Sequence, residues 1–320
     1  ARLERGLPVA VLVGNHPSFF PLLLACLRCG LIVLPLDGDS PPAEARLVAE
    51  EYGAQAIVAL APLAGPDSAP WSPLPCDLVL TMLAGPRRVI DYGPAALMKL
   101  TSGSTAVPKA ILCSEENLWA DGEHVVEAMG IPPGAVQLGA IPVAHSYGLG
   151  NLVMPLLVHG ASLVLRHGFI PPSFCRDIES CGVTVFPGVP FMFERILGPM
   201  ALDRLPRPLE KLITAGARIE AATVRAFKER FGLKIHSFYG SSESGGIAYD
   251  ASEDAEDPLT VGTPLPGVDV SIEPLDSSDG AGTGRVAVRS SAVAAGYAAE
   301  TGLRSRTSDL RDGRFLTGDI

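Results

Sequence analysis

Nine consecutive residues, Thr101-Ser102-Gly103-Ser104-Thr105-Ala106-Val107-Pro108-Lys109, hold four hydroxyls, one glycine and one lysine. Small residues let successive backbone N–H groups turn toward an anion. Hydroxyls add donors, and a lysine adds a point charge. By composition this is a loop that grips phosphate; a polar hairpin turn is the other reading. It is not the phosphate loop of the P-loop nucleotidases, because Ala110 rather than Ser or Thr follows Lys109 and no helix follows directly.

A second stretch has the same character. Phe238-Tyr239-Gly240-Ser241-Ser242-Glu243 runs into Ser244-Gly245-Gly246 after an apolar segment. An aromatic ring there can stack on a base, a hydroxyl can meet a phosphate, and a carboxylate can hold Mg²⁺. The bland reading is a Gly/Ser connector with an exposed Glu243. Gly216-Ala217-Arg218 and Thr317-Gly318-Asp319 are weaker signals: alone, the first is a strand-to-helix turn and the second a tripeptide. Cys26 and Cys29 form a lone C-x2-C pair inside an apolar run, and two core-facing helical cysteines explain it better than a metal.

These loops need elements to hold them. Residues 9–13, 31–34 and 56–60 read as buried strands alternating with helices, the last helix covering 43–52. Residues 61–77 read as a surface loop. The rhythm returns with strands at 161–165, 183–186, 212–215 and 234–238 and helices at 173–180, 191–197 and 221–231. Apolar strands alternating with helices imply parallel sheets covered on both faces. Ligands on such sheets sit at the carboxyl ends of strands, where the 216–218 and 238–246 loops fall. Residues 250–257, with five acids in eight, read as a solvated loop. Beyond them, 268–272 and 285–289 read as short antiparallel strands. The expected fold is α/β: two αβαβ-type sheets with helices between and around them, over about 1–150 and 151–255, plus a small antiparallel β-barrel subdomain over about 256–315.

Taken together and in this order, 101–109, 216–218, 239–243 and 317–319 resemble the signatures of the adenylate-forming superfamily. That family contains acyl- and aryl-CoA synthetases, the adenylation domains of non-ribosomal peptide synthetases, and luciferases. The 9–35 run, 262–267 and 284–297 are similar to family segments too, so the resemblance covers nearly the whole chain. It implies ATP-dependent activation of a carboxylic acid to an acyl-adenylate, with release of pyrophosphate. Transfer to a thiol of CoA or of carrier-protein phosphopantetheine would follow.

Residue by residue, the resemblance implies that Thr101, Ser102, Gly103, Ser104, Thr105 and Lys109 grip the β- and γ-phosphates. Tyr239 would pack on adenine beside Phe238, Gly240 and Ser241, with Gly216, Ala217 and Arg218 lining the base pocket. Ser242 would meet the α-phosphate, Glu243 would hold Mg²⁺, and Asp319 would bind the ribose hydroxyls. His145, followed by Ser146 and Tyr147, falls where relatives touch the carboxylate substrate. Phe186, Val189, Phe193, Gly240 and Gly245 are expected pocket walls, although each also reads as ordinary core. Amino-acid-activating relatives usually carry an Asp at the place of His145. An α-amino acid is therefore a poor substrate, since a buried ammonium without a partner is costly.

Two departures bear on turnover. Ala106 and Ala110 stand where the pattern usually has glycine, and a site needing positive φ would be strained there by about 1 kcal/mol. The chain also stops at Ile320, immediately after Asp319, where relatives continue into a small mobile domain carrying a lysine that assists adenylate formation. The chain is thus expected to be the large N-terminal domain of a longer enzyme. A catalytically weak nucleotide- or adenylate-binding module is the alternative from another class, and a peptide-synthetase-type adenylation domain the alternative within it.

Composition sets the outer limits. Of 320 residues, 25 are basic and 35 acidic, a net charge of −10 with both halves acidic, so no electrostatic footprint for nucleic acid or anionic membrane exists. The longest apolar stretch, 19–36, is broken by Pro21, Arg28, Gly30 and Pro35, which argues against a membrane span. The expected partners are a small carboxylic acid and a carrier protein, in the cytoplasm; the six cysteines show no disulfide framework. Glycine and proline, 34 and 29 residues, exceed ordinary usage and imply many turns and close backbone approaches.

Overall fold

The structure is a computed structural model that describes residues 3–63, 71–84, 90–101, 108–198, 202–253, 257, 259–274, 283–299, 302–304 and 307–320. In chain order it opens with β1 (Pro8–Leu12), α1 (Phe19–Arg28), β2 (Ile32–Pro35), α2 (Pro42–Glu51) and β3 (Ala56–Ala59). Then come β4 (Trp71–Leu74), β5 (Leu78–Met82), β6 (Leu97–Thr101), β7 (Lys109–Cys113), α3 (Glu115–Met129) and β8 (Val136–Gly139). One continuous helical run follows: α4 (Ser146–Gly148), a π-helical turn (Leu149–Val153) and α5 (Met154–His159). The next alternation is β9 (Ser162–Leu165), α6 (Pro171–Cys181), β10 (Val185–Gly188), α7 (Pro190–Leu197), β11 (Lys211–Thr214), α8 (Ala221–Phe231) and β12 (Ile235–Ser241). The chain closes with β13 (Gly245–Tyr249), β14 (Thr263–Pro264), β15 (Asp269–Pro274), β16 (Gly284–Arg289), β17 (Gly296–Ala299), β18 (Gly302–Arg304), β19 (Leu310–Arg311) and β20 (Arg314–Leu316).

The strands form three sheets. The first runs β18-β17-β7-β6-β2-β1-β3-β5-β4, parallel only through β6-β2-β1-β3 and antiparallel at both ends. The second runs β14-β13-β12-β11-β10-β8-β9, parallel from β12 to β9. The third, β15-β16-β20-β19, is antiparallel throughout and occupies the place of the expected barrel-like segment.

The sequence boundaries shift accordingly. β8, at 136–139, belongs to the second sheet rather than the first. β17 and β18 return from residues 296–304 to the first sheet, because Gly296 and Tyr297 pair with Leu112 and Ile111. Part of the loop expected at 61–77 is strand: β4 pairs antiparallel with β5 through backbone bonds that composition does not announce.

One apolar core joins the two large sheets. Val9, Val33, Leu97 and Ile111 from the first meet Leu138, Ile141, Leu152 and Phe186 from the second. A separate layer, with Ala10, Leu34, Ile57 and Leu112, covers the other face of the first sheet under α2. The odd–even split of residues 9 and 10 is the period-2 alternation of a strand buried on both faces. α3 lies between the sheets, its Val125, Val126 and Met129 packing on the second. Cys26 faces the core, where burial pushes its thiol up to about 11, whereas Cys29 is exposed beyond the end of α1.

The acidic stretch after β13 is not uniformly solvated. Asp250 is 3% exposed and pairs with the equally buried Lys234 at 2.6 Å. Ser252 accepts from the same ammonium and donates to Asp250, which completes the partners a buried ion pair requires.

Candidate active site

A cleft of about 540 Å³ opens between the first and second sheets. Its walls come from the carboxyl ends of strands on both sides. Pro35 and Leu36 lie at the end of β2, Ala215 and Gly216 follow β11, and Phe238, Gly240, Ser241 and Ser242 lie at the end of β12, whereas Tyr239 does not line the cleft. This is where open α/β sheets place ligands.

β6 and β7 present the hydroxyl-rich loop as an antiparallel pair. Thr101 is opposite Lys109, and Thr101 and Pro108 line the cleft. Lys109 is exposed at the rim. Ser102, Gly103, Ser104, Thr105 and Ala106 lie outside the described residues. Ala110 sits in extended pairing with Leu100, buried on the α2 side, and is not among the residues with positive φ. Alanine therefore costs nothing in backbone strain at that position.

β12 and β13 make a hairpin whose register shifts between Tyr239 and Gly240. The bulge leaves Gly240 close against Gly245: a Cβ at 240 would lie 2.7 Å from the carbonyl oxygen of Gly245. Tyr239 donates its hydroxyl to Asp319, so residues 80 apart in sequence meet beside the cleft. Burial and the Asp319 carboxylate both raise the Tyr239 pKa, which keeps the phenol protonated as donor. Ser242 lines the cleft and accepts from Ser146 at 2.7 Å. Ser241 is tied to Ser244 at 2.8 Å. Glu243 is half-buried and accepts from Tyr297 at 3.1 Å, and its carbonyl accepts from the Ala294 N–H. Gly216 has φ of +82°, which lets the chain turn over the cleft; Ala217 and Arg218 are exposed beyond it and do not line it.

His145 caps the start of α4 and reaches Asp37 of the first sheet at 3.3 Å, so a polar contact spans the cleft. Tyr147 donates to the carbonyls of Gly188 and Ile213 and stacks on Phe238 at 6.2 Å. Gly245, with φ of +70°, also lines the cleft. Phe186 and Phe193 do not. Both are fully buried in a chain of rings running through Phe174, Phe193 and Phe227 on the α6–α8 side of the second sheet. Strand alternation turns Phe186 into that helical layer while its neighbour Val185 faces α3. Val189 stands near Gly216, 3.6 Å from where a Cβ would lie, but is not part of the cleft wall.

The cleft holds three side chains that the sequence reading did not single out. Lys99 and Asp121, 3% and 4% exposed, face each other at 3.8 Å on its floor. Asn151, 2% exposed, joins them from the π-helical turn. Each had a local signal. Lys99 interrupts the strand Leu97-Met98-Lys99-Leu100, and Asp121 falls on the buried helical stripe of Leu118, Val125 and Met129. A charge in an apolar pattern marks either a partner or a site.

Among the described residues no group of three His, Cys, Asp or Glu could hold a metal. A single carboxylate beside a phosphate site suits Mg²⁺, which usually binds one or two carboxylates together with substrate phosphates and water. Glu243, adjacent to Ser242, fits that description.

The family model of the AMP-binding enzymes matches residues 1–298, and the chain belongs to that family. It is 27% identical over its whole length to a feruloyl-CoA synthase of Amycolatopsis, of which it covers 67%. It is likewise 27% identical to a sulfoacetate–CoA ligase of Cupriavidus necator, of which it covers 66%. The fold matches ATP-bound MatB from Rhodopseudomonas palustris with a TM-score of 0.77 at 22% identity, over 99% of this chain and 66% of that one. The chain thus spans about two thirds of the length of these relatives.

Proposed function

We propose that this chain is the nucleotide- and acid-binding part of an AMP-forming acid–thiol ligase. It would activate an acyl or aryl acid rather than an α-amino acid, for transfer to CoA or to a carrier-protein phosphopantetheine. The observation that carries this reading is convergence. Thr101, Gly216, Gly240 and Ser242, from three separate segments, line one cleft, and Asp319 from a fourth is bonded to Tyr239 at its edge. Relatives named as CoA ligases, and one named as a fatty acid–acyl-carrier-protein ligase, support the reaction class and both acceptors.

ATP with Mg²⁺ would supply the phosphoryl centre and neutralise its charge. The protein's part is positioning. Ser242, held by Ser146, presents a hydroxyl toward the α-phosphate. Glu243, oriented by Tyr297, holds the metal, while Thr101 and Lys109 flank the loop for the outer phosphates. Asp319, fixed by Tyr239, receives the ribose hydroxyls, and Phe238, Gly216 and Gly240 border the base. His145 stands at the acid's carboxylate with Asp37 as its partner. An α-ammonium would have to compete with His145 for Asp37 and with Lys99 for Asp121. Among the described residues no helix is long and apolar enough to cross a membrane; the reading places the reaction in the cytoplasm.

The test is acid-dependent pyrophosphate exchange on the longest product of the gene, across fatty, aryl and amino acids. Exchange with an acyl or aryl acid is expected. Silence across the panel while AMP still raises the melting temperature would leave a binding module without catalysis. No shift from ATP or AMP, even with Mg²⁺, would remove both readings.

A further inference from the structure

The floor of the cleft is polar where an aliphatic tail would need it apolar. Lys99 and Thr101 share one face of β6, so the lysine lies one pleat deeper than the phosphate-loop threonine. Lys99 is buried but lines the cleft, and its ammonium makes no hydrogen bond among the described residues. Its nearest partner, Asp121, stands 3.8 Å away, beyond hydrogen-bonding distance. Asp121 is itself fixed. It accepts from the Gly246 N–H at 2.8 Å, and a Cβ at Gly150 or Gly245 would lie 3.2 Å or 2.3 Å from its oxygens. It cannot swing toward the lysine without leaving the hairpin.

Asn151 supplies an independent observation. Its Oδ1 is buried without a hydrogen-bond partner among the described residues, although the residue lines the same cleft. It is carried on a π-helical turn, a distortion that costs helix hydrogen bonding and is frequent at functional sites. The cleft wall therefore offers a cationic donor and an unsatisfied acceptor, and the buried acceptor is costly to leave unpaired.

We propose that Lys99, Asp121 and Asn151 form a subsite for a hydroxyl on the tail of the activated acid, alcoholic or phenolic. A hydroxyl can both accept from an ammonium and donate to an amide oxygen, so it is the group that suits the Lys99 and Asn151 side chains together. A second carboxylate fits less well. Asp121 stands opposite the ammonium, and Glu243 is near enough to act on it electrostatically, so a third anion would meet two carboxylates. A plain alkyl or aryl tail leaves donor and acceptor unpaired. Discrimination against a ligand that lacks a hydrogen-bonding group is the strong kind of specificity.

The inference rests on the ligase reading and is separable from it by measuring binding rather than turnover. Calorimetric affinities are taken in saturating AMP for two matched series: cinnamate with 4-hydroxycinnamate, and hexanoate with 6-hydroxyhexanoate and adipate. At least one hydroxylated acid is expected to bind about tenfold tighter than its plain partner, and adipate no tighter than hexanoate. Asn151→Leu, and separately the double variant Lys99→Met/Asp121→Asn, are expected to bring that ratio to about one with AMP affinity retained. If the double variant fails to fold, Asn151→Leu decides. A plain acid or adipate preferred in both series overturns the subsite and leaves the ligase reading standing. So does a hydroxyl preference that survives the variants, or an equal loss for every acid. Absence of AMP binding in the unmodified protein removes the ligase reading and the subsite with it.

Discussion

Glu243 and His236 are both polar residues of the second sheet and its hairpin, but their surroundings assign them different work. Glu243 is half-buried beside the cleft and tied to the fold by one acceptor oxygen, from Tyr297. Glu243→Gln keeps an amide oxygen for that bond and removes the charge. It is expected to cut Mg²⁺-dependent exchange by about a hundredfold or more while the melting temperature holds. Unchanged activity across a Mg²⁺ titration would show that the metal is held elsewhere. His236 is buried, and its Nδ1 lies 2.9 Å from the Asp250 carbonyl, which makes that nitrogen the donor. Burial lowers its pKa in the folded protein, despite the carbonyl and Glu253. An unfolded histidine titrates near 6.5. As pH falls below about 6.5, the unfolded chain takes a proton that the folded chain refuses, so stability falls. Asp250, whose pKa is lowered by Lys234 and Ser252 against the opposing pull of burial, contributes only later. Its stabilisation is complete above about 3.9 and is lost as pH drops through its depressed folded pKa. Denaturant midpoints between pH 7 and 5 are therefore expected to decline, and His236→Gln to flatten that decline. An equal slope in the variant would place the titrating group elsewhere.

At the scale of elements, the helix beginning at Ser146 depends on one glycine. Gly148 has ordinary helical φ of −67°, so conformation does not require glycine there; space does. A Cβ would lie 2.0 Å from the Pro142 carbonyl oxygen, backbone against backbone. Gly148→Ala is expected to cost about 1–3 kcal/mol and to displace His145 and Ser146 from the cleft. Thermal melts and acid affinity in the presence of AMP check this; a variant normal in both would show that the turn yields freely. Such close approaches mark the limit of what could be read in the chain beforehand. The alternation of apolar strands and helices is local, so α8 was legible to the residue and most parallel strands to within one or two. The 238–246 stretch was legible as a loop region at the carboxyl end of a strand, and it lies on the β12–β13 hairpin beside the cleft, whereas most of 101–109 lies outside the described residues. A pairing set by a distant partner, β17 returning to β7, was not legible, and neither was the local β4–β5 hairpin in a stretch whose composition reads as loop. The aromatic cluster misled as well. Phe186 and Phe193 are apolar wherever they point, and only the register of β10 and the packing of α7 show that they face Phe174 of α6 and Phe227 of α8. Lys99 and Asp121 were visible as charges in apolar patterns, but that they face each other depends on α3 lying between the sheets.

The whole molecule works as two sheets whose spacing defines the cleft, and Asn15 is one side chain that joins them. It sits in the turn after β1. Its Nδ2 donates to the carbonyls of Gly139, Ile141 and Arg166, and its Oδ1 accepts from the Val143 N–H. All four partners belong to the second sheet or its connections, while Asn15 belongs to the first. The His145–Asp37 contact spans the same gap on the cleft side but is half exposed, so solvent weakens it. Asn15→Ala strands a donor and several acceptors at a half-buried junction, at about 1–3 kcal/mol for each group left unpaired. Asn15→Asp is a sharper test, since it keeps an acceptor for Val143 but turns a carboxylate toward three carbonyl oxygens. The expected order of melting temperature is Asn15 above Ala, with Asp lowest. If the junction also sets the width of the cleft, AMP and acid affinity should fall in the same order, although Asn15 does not line the cleft. Stability lost with affinity intact would mean that the shared apolar core holds the sheets in place unaided. An Asp variant as stable as the parent would mean that the four bonds do not govern the junction.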